Sequence, residues 1–331
     1  MAGLEYANAR VKAMKSRLLG ESDIKIALEM KSVHDLAVWL EGTSYKPFVG
    51  GKTIKAVEKA LFDSWKHDTA KVLGFLPESV SGFFSSLLSV FEVEAVKALA
   101  GSKVSGSAPD ESCMVFFSGA LKKKLKAMLE AETLESLADV FGRSDYGKII
   151  RRCLAEGKNI NTALDGYYFE RLWQAVAGLP RGFRKTAASL AGAEIDSSVI
   201  ISILRSKQRG TEEIPLASAF HRIKKGTIEE CRKADSVSGA LSVLYGTVYG
   251  GVLSEVSQKY DEDKSLFHFE QALLRYRMRL YRRAVLDVLG IGVPISYMKF
   301  REMETRHLRS IALGLENGLS RSEIEEMVQW A

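Results

Sequence analysis

Proline is scarce in this sequence, six in 331 residues, and cysteine is scarcer, with three. Cys113, Cys153 and Cys231 stand 40 and 78 residues apart, with no CxxC and no histidine at ligand spacing. That excludes a disulfide framework and a zinc site and reads as reduced cytoplasmic thiols. Charge of one sign is also lacking: 47 Lys and Arg stand against 41 Asp and Glu, and the excess of six is spread as +1, +3 and +2 over residues 1–110, 111–218 and 219–331. A basic tail or a concentrated phosphate-binding domain would break that evenness, so nucleic acid is not the default partner. No signal peptide is expected, because Met1 to Leu19 interleaves Glu5, Arg10, Lys12, Lys15 and Arg17 with apolar residues. The one long uncharged run, Ser236 to Ser254 with GxxxG at Gly246 and Gly250, is about half Ser, Gly and Thr. It reads as a buried soluble helix, not a membrane span. With 46% hydrophobic and 27% charged residues the chain is an ordinary folded protein with room for two or three domains.

What is present is an internal repeat. Ser32-Val-His-Asp-Leu-Ala-Val-Trp-Leu-Glu-Gly-Thr-Ser-Tyr45 is echoed by Thr133 to Tyr146 and by Ser236 to Tyr249. Each copy opens on a hydroxyl residue able to cap a helix and runs apolar at helical spacing (Leu36 and Leu40, Leu137 and Phe141, Ala240 and Leu244). Each reaches Tyr thirteen residues after the cap. Further on come helix breakers at Gly74 to Pro77, Gly178 to Pro180 and Gly290 to Pro294. An acid pair at i and i+2 follows each breaker: Glu92 and Glu94, Glu194 and Asp196, Glu302 and Glu304. From Tyr to the first acid is 47, 48 and 53 residues, the third copy being lengthened by the charged stretch 259–264, expected to be a loop. The segments 101–109 and 206–215 read as linkers. No segment alternates as a strand would. The expectation is an all-α chain of three related helical domains, 1–110, 111–218 and 219–331.

Both ends then carry a more specific signal. Tyr6-Ala-Asn-Ala-Arg-Val-Lys-Ala-Met-Lys-Ser-Arg-Leu-Leu19 and Glu302-Met-Glu-Thr-Arg-His-Leu-Arg-Ser-Ile-Ala-Leu-Gly-Leu-Glu-Asn-Gly-Leu-Ser-Arg-Ser-Glu-Ile324 resemble the opening and closing segments of the C subunit of archaeal-type (A-type and bacterial V-type) ATP synthases, related to the d subunit of vacuolar ATPases. Lys299, where an apolar residue is usual, and His307, where Asn is usual, depart from the family. The resemblance implies three domains in a pseudo-threefold, funnel-like arrangement and a non-catalytic rotor part of the central stalk. Its partners would be the shaft subunits of the soluble head and the membrane proteolipid ring. It would be peripheral to the membrane on the cytoplasmic face, coupling ATP turnover to proton or sodium transport. A helical adaptor for nucleic acid or an acidic membrane surface is the competing reading.

No catalytic residue, cofactor, metal or small-molecule substrate is read from the sequence. Gly50-Gly51-Lys52-Thr53 ends like a phosphate loop, but Lys46 stands where the first glycine is required, so a structural turn is expected. The acid pairs point about 200° apart on a helix, and helix starts with carboxylates near the positive end are the simple account. His34, His67, His221, His268 and His307 are dispersed. The residues singled out are Arg275, Arg279, Arg282 and Arg283, which fall on one arc of a helix expected from about Leu266 to Leu289. They read as a solvated face or a docking stripe for an acidic partner. Arg277 points into the apolar arc and calls for a paired acid, either Glu270 at i−7 or an acid from another helix. Lys122 to Lys126 reads as plain surface. A terminal helix, Ser320 to Trp330, is expected to pack on the third domain behind a Ser320/Glu323 capping box.

Overall fold

A computed structural model describes residues 3–108, 117, 119–211 and 221–328. Cys113, Trp330 and part of both expected linkers lie outside the described residues. Within them the chain is all-α, without a strand. In chain order the helices are α1 (Glu5–Lys15), α2 (Glu21–Leu28), α3 (Val33–Leu40), α4 (Ile54–Phe75), α5 (Glu78–Ser105), α6 (Gly119–Lys123), α7 (Leu125–Glu130), α8 (Leu134–Phe141) and α9 (Asp145–Glu156). They continue with α10 (Ile160–Gly178), α11 (Arg181–Arg209), α12 (Lys225–Lys233), α13 (Val237–Leu244), α14 (Gly250–Ser254), α15 (Ser257–Asp263), α16 (Phe267–Ala284), α17 (Gly292–Glu316) and α18 (Arg321–Met327).

The repeat is visible in the caps. Oγ of Ser32, Oγ1 of Thr133 and Oγ of Ser236 accept from the amides of Asp35, Ser136 and Gly239, so each copy starts its short helix in the same way. The breakers also act as read. Pro77 and Pro180 immediately precede α5 and α11, and Pro294 sits in the first turn of α17, where its missing N–H costs nothing. Several expectations change. Gly101–Ser105 and Ser206–Arg209 are not linker but the last turns of α5 and α11, and the charged stretch 259–264 is mostly α15. The Arg-rich helix stops at Ala284, short of Leu289. The uncharged run 236–254 is split between α13 and α14. Among the described residues one helix, α11, has the length and apolarity to cross a membrane, and it is mostly buried, with Glu194 and Asp196 at its middle.

The chain forms two compact units, Met1–Ser81 with Leu274–Ala331, and Gly82–Leu273. The first unit joins the two ends of the sequence. Its core interleaves Ile24, Leu36, Leu40, Tyr45, Val57 and Leu61 from the first copy with Leu308, Ile311, Ile324 and Val328 from the third. Burial of each large aliphatic side chain contributes about 1.5–3 kcal/mol, so neither set of helices holds its shape without the other. The terminal helix α18 lies on α2 of the first copy as well as on α17 of the third. Gly314 on α17 makes room for it, since a Cβ there would lie 2.5 Å from Cγ1 of Ile324. In the second unit α8 packs on α9, α10 on both α9 and α11, and α13 on α11 and α12.

Candidate functional site

The three recurring tyrosines meet the three recurring acid pairs, but never within one copy. Oη of Tyr146, in the second copy, donates to Oε2 of Glu92 in the first at 2.9 Å. Oη of Tyr249, in the third, donates to Oδ2 of Asp196 in the second at 2.8 Å. The cycle closes with Tyr45 of the first copy, whose Oη donates to Oε1 of Glu304 in the third at 2.8 Å. The acids stand well inside α5, α11 and α17, so the account of them as helix starts is corrected: they are interior partners for the next copy's tyrosine. The other member of a pair, turned away as the i, i+2 geometry requires, meets a cation on its own helix in two cases. Glu94 pairs with Lys97, and Glu302 with Lys299 and Arg306.

The first joint is the most elaborate. Arg301, 2% exposed, donates from Nη1 to Oη of Tyr45 at 2.6 Å and to Glu304, and from Nη2 to Oγ of Ser64 at 2.5 Å. Its Nε lies 3.0 Å from Oδ2 of Asp68, which also accepts from Oη of Tyr297 at 3.0 Å. The amide of Leu19 donates to Oε2 of Glu304 at 3.0 Å. A buried arginine is tolerated because both terminal nitrogens of the guanidinium find acceptors and its charge is met by Glu304 and Asp68. Burial, reinforced by Glu304, pushes the Tyr45 phenol well above its ordinary value, so it remains a donor. Burial likewise raises Glu304 despite the opposing pull of Arg301. In the second unit Asp196 accepts from the amides of His221 and Arg222 as well as from Tyr249.

The arginine stripe forms as the helical spacing requires. Met278, Tyr281 and Val285 are buried on the inner arc, and Ser296 Oγ donates to the Tyr281 carbonyl at 2.9 Å, fixing α16 on α17. Arg279, Arg282 and Arg283 are exposed and Arg275 is half-buried. Among the described residues none of the four enters an ion pair. Arg277 is half-buried, and the acid near enough to act on it is Glu302, whose carboxyl it helps to hold low. Glu270 is engaged elsewhere, by Arg205 at 2.6 Å. Of the two expected sources of an acid, Glu270 is therefore ruled out, and the carboxyl that feels Arg277 lies on another helix, α17.

The glycine-rich turn carries no nucleotide geometry. Thr53 Oγ1 accepts from the Ala56 amide at 3.3 Å as the cap of α4, so Gly50 to Thr53 is the approach to a helix. Among the described residues no group of His, Cys, Asp and Glu is arranged to hold a metal ion. Lys122 to Lys126 is exposed surface apart from half-buried Leu125, with Lys124 donating to the Val140 carbonyl and Lys126 paired with Glu130. Where the helical pattern predicts an unbroken helix, a turn follows α16 instead, and there Leu286, Val288 and Leu289 are 76%, 51% and 59% exposed.

Residues 7–327 match the family model described as ATP synthase (C/AC39) subunit. Similar proteins, each named as the C subunit of an A-type ATP synthase, are found in several archaea. That of Thermococcus onnurineus is 29% identical over 98% of this chain and 89% of its own length, and that of Pyrococcus abyssi is 28% identical over the same shares. That of Methanocaldococcus jannaschii is 25% identical over 99% of this chain and 86% of its own length.

Proposed function

The chain belongs to the ATP synthase (C/AC39) subunit family, and from that premise we propose that it is the central-stalk rotor subunit of an A-type rotary ATP synthase. In that role it docks the shaft of the soluble head onto the proteolipid ring at the cytoplasmic face of the membrane. It is an accessory subunit that performs no chemistry itself. The observation that carries this reading is the match from residue 7 to residue 327, which leaves almost none of the chain for another purpose. The fold suits the task. Torque is transmitted only by a body that resists twisting, and in this chain α5, α11 and α17 are each bonded through the middle to the tyrosine of another copy. A buried hydrogen-bonded contact at half-length shortens the free span of a helix and stiffens it.

The test separates two activities. Complexes verified to lack this subunit should keep ATP hydrolysis in the head and lose hydrolysis-driven ion transport into vesicles. Full transport without the subunit would refute the role. A cross-link from this chain to a stationary subunit should stop coupled turnover, whereas one to the shaft or the ring should be tolerated.

A further inference from the structure

The three breaker turns serve as controls for one another. In the first copy Val72 is buried and Leu73, Phe75 and Leu76 are half-buried; in the second, Val176 and Leu179 are buried. Only the third copy turns its apolar residues, Leu286, Val288 and Leu289, out to solvent. The turn is nevertheless held firmly. Asn8, 1% exposed on α1, donates from Nδ2 to the carbonyls of Val288 and Gly290, each at 3.0 Å. Gly292 allows the end of α16 to press on the start of α17, since a Cβ there would stand 2.5 Å from the Ala284 carbonyl oxygen. An exposed apolar turn fixed by a buried amide has its conformational cost removed before any partner arrives. Beside it, on the last two turns of α16, stand the exposed Arg279, Arg282 and Arg283, none of them in an ion pair among the described residues.

We infer that this turn and its arginines form one docking knuckle, whose occupant is an acidic protein segment carrying an apolar socket; the inference rests on the coupling role above. Two features favour a protein over a lipid surface. From Ser265 to Met298 the chain has five arginines and no lysine, and the forked guanidinium matches carboxylates in a way that diffuse attraction to a membrane does not require. A fluid lipid surface also has no shape to match, so a pre-organised turn would gain nothing there. Apolar anchors ringed by charges are the usual make-up of an interface centre and its rim.

The experiment uses the complete ion-translocating complex containing the full chain. A photo-activated cross-linker at Val288 should join one other subunit, at a segment rich in Asp and Glu. Changing Leu286, Val288 and Leu289 together to Ser should weaken retention of the chain in the complex about tenfold or more, with the melting temperature of the isolated chain unchanged. The triple change Arg279→Glu, Arg282→Glu, Arg283→Glu should also release it, and high salt should release the unaltered chain. Full retention of both variants, or a cross-link to a basic segment, to lipid or to a second copy of this chain, overturns the knuckle and leaves the coupling role standing. So does binding to vesicles of equal phosphatidylcholine and phosphatidylglycerol that the serine changes abolish while retention is untouched. If the unaltered chain is absent from the purified complex, the coupling role itself fails.

Discussion

The hydroxyl of Tyr45 donates to Glu304, 259 residues further along the chain, at 2.8 Å in a site sealed from solvent. The same bond joins Tyr146 to Glu92 and Tyr249 to Asp196, at sequence separations of 54 and 53. The near-equal separations of the last two show that the pairing rule is "tyrosine to the preceding copy". The first copy instead takes its acid from the third.

Removing these hydroxyls should weaken the fold unequally. Tyr45→Phe leaves Arg301 and Glu304 buried with one partner fewer and should cost about 1–3 kcal/mol, the usual penalty for a buried polar group left short. Tyr146→Phe should cost about 1 kcal/mol or less, because Glu92 is only half-buried and regains water. Urea unfolding midpoints of the full chain measure both, and an equal loss would show that the Arg301 network adds nothing to the first joint.

His307 should make the protein sensitive to mild acid. Burial, with Arg306 beside it, lowers its pKa from 6.5 to about 4. The unfolded chain therefore takes up a proton at this residue before the folded one does, and stability present above pH 6.5 is lost as pH falls towards 4. His307→Asn removes the titrating group, so the difference in stability between the variant and the natural chain should change across that window, in the variant's favour as the pH falls. A constant difference from pH 7 to pH 4 would mean that the imidazole takes up its proton at the same pH in the folded and the unfolded chain.

Truncation before Ser320 should destabilise the unit made from the two chain ends. Ile324 and Val328 are 2% and 1% exposed and belong to the core shared by α2, α3 and α17. Their loss uncovers Ile24 and Ile311 and removes the Arg321–Glu29 pair at 2.6 Å, a penalty of about 3–6 kcal/mol for two aliphatic side chains. Gly314→Val should act the same way by displacing Ile324. Calorimetric melting of the two variants decides the point, and an unchanged curve would assign α18 to loose surface.

Titration of the isolated chain with Mg-ATP should give no heat. Thr53 is occupied in capping α4, and the turn before it lacks the first glycine with which a phosphate loop wraps its ligand. Tight binding abolished by Lys52→Ala would overturn that reading.

Much of this architecture is legible in the sequence, because a cap, a helical period and a breaker are local signals. Ser32, Thr133 and Ser236 announce their helices through chemistry contained within four residues. The tyrosines and acids are legible as equivalents too, but repetition states only that Tyr45, Tyr146 and Tyr249 resemble one another. It does not say which acid each will meet, since a bond between copies leaves no trace in the spacing inside one. Arg277 illustrates the same limit: its helical phase places it on the inner arc, while the acid whose carboxyl it helps to hold low, Glu302, stands on a different helix. The exposed turn at Leu286 is hidden for another reason. Apolar residues continue the helical pattern past Ala284, and the bonds that hold the turn in space come from Asn8, far away in the sequence, which donates to the carbonyls of Val288 and Gly290.

Because Tyr45 must wait for Glu304, the ribosome imposes a schedule. Residues 82–273 emerge as an unbroken stretch and can complete their own unit while synthesis is still under way. The first 81 residues cannot. They leave the tunnel before residues 82–273, with Leu36, Leu40 and Leu61 still short of their partners, and remain so until α17 and α18 appear. Nascent chains arrested before residue 292 should therefore be bound by chaperones through residues 24–61, and the emergence of α17 and α18 should be the moment at which that binding ends.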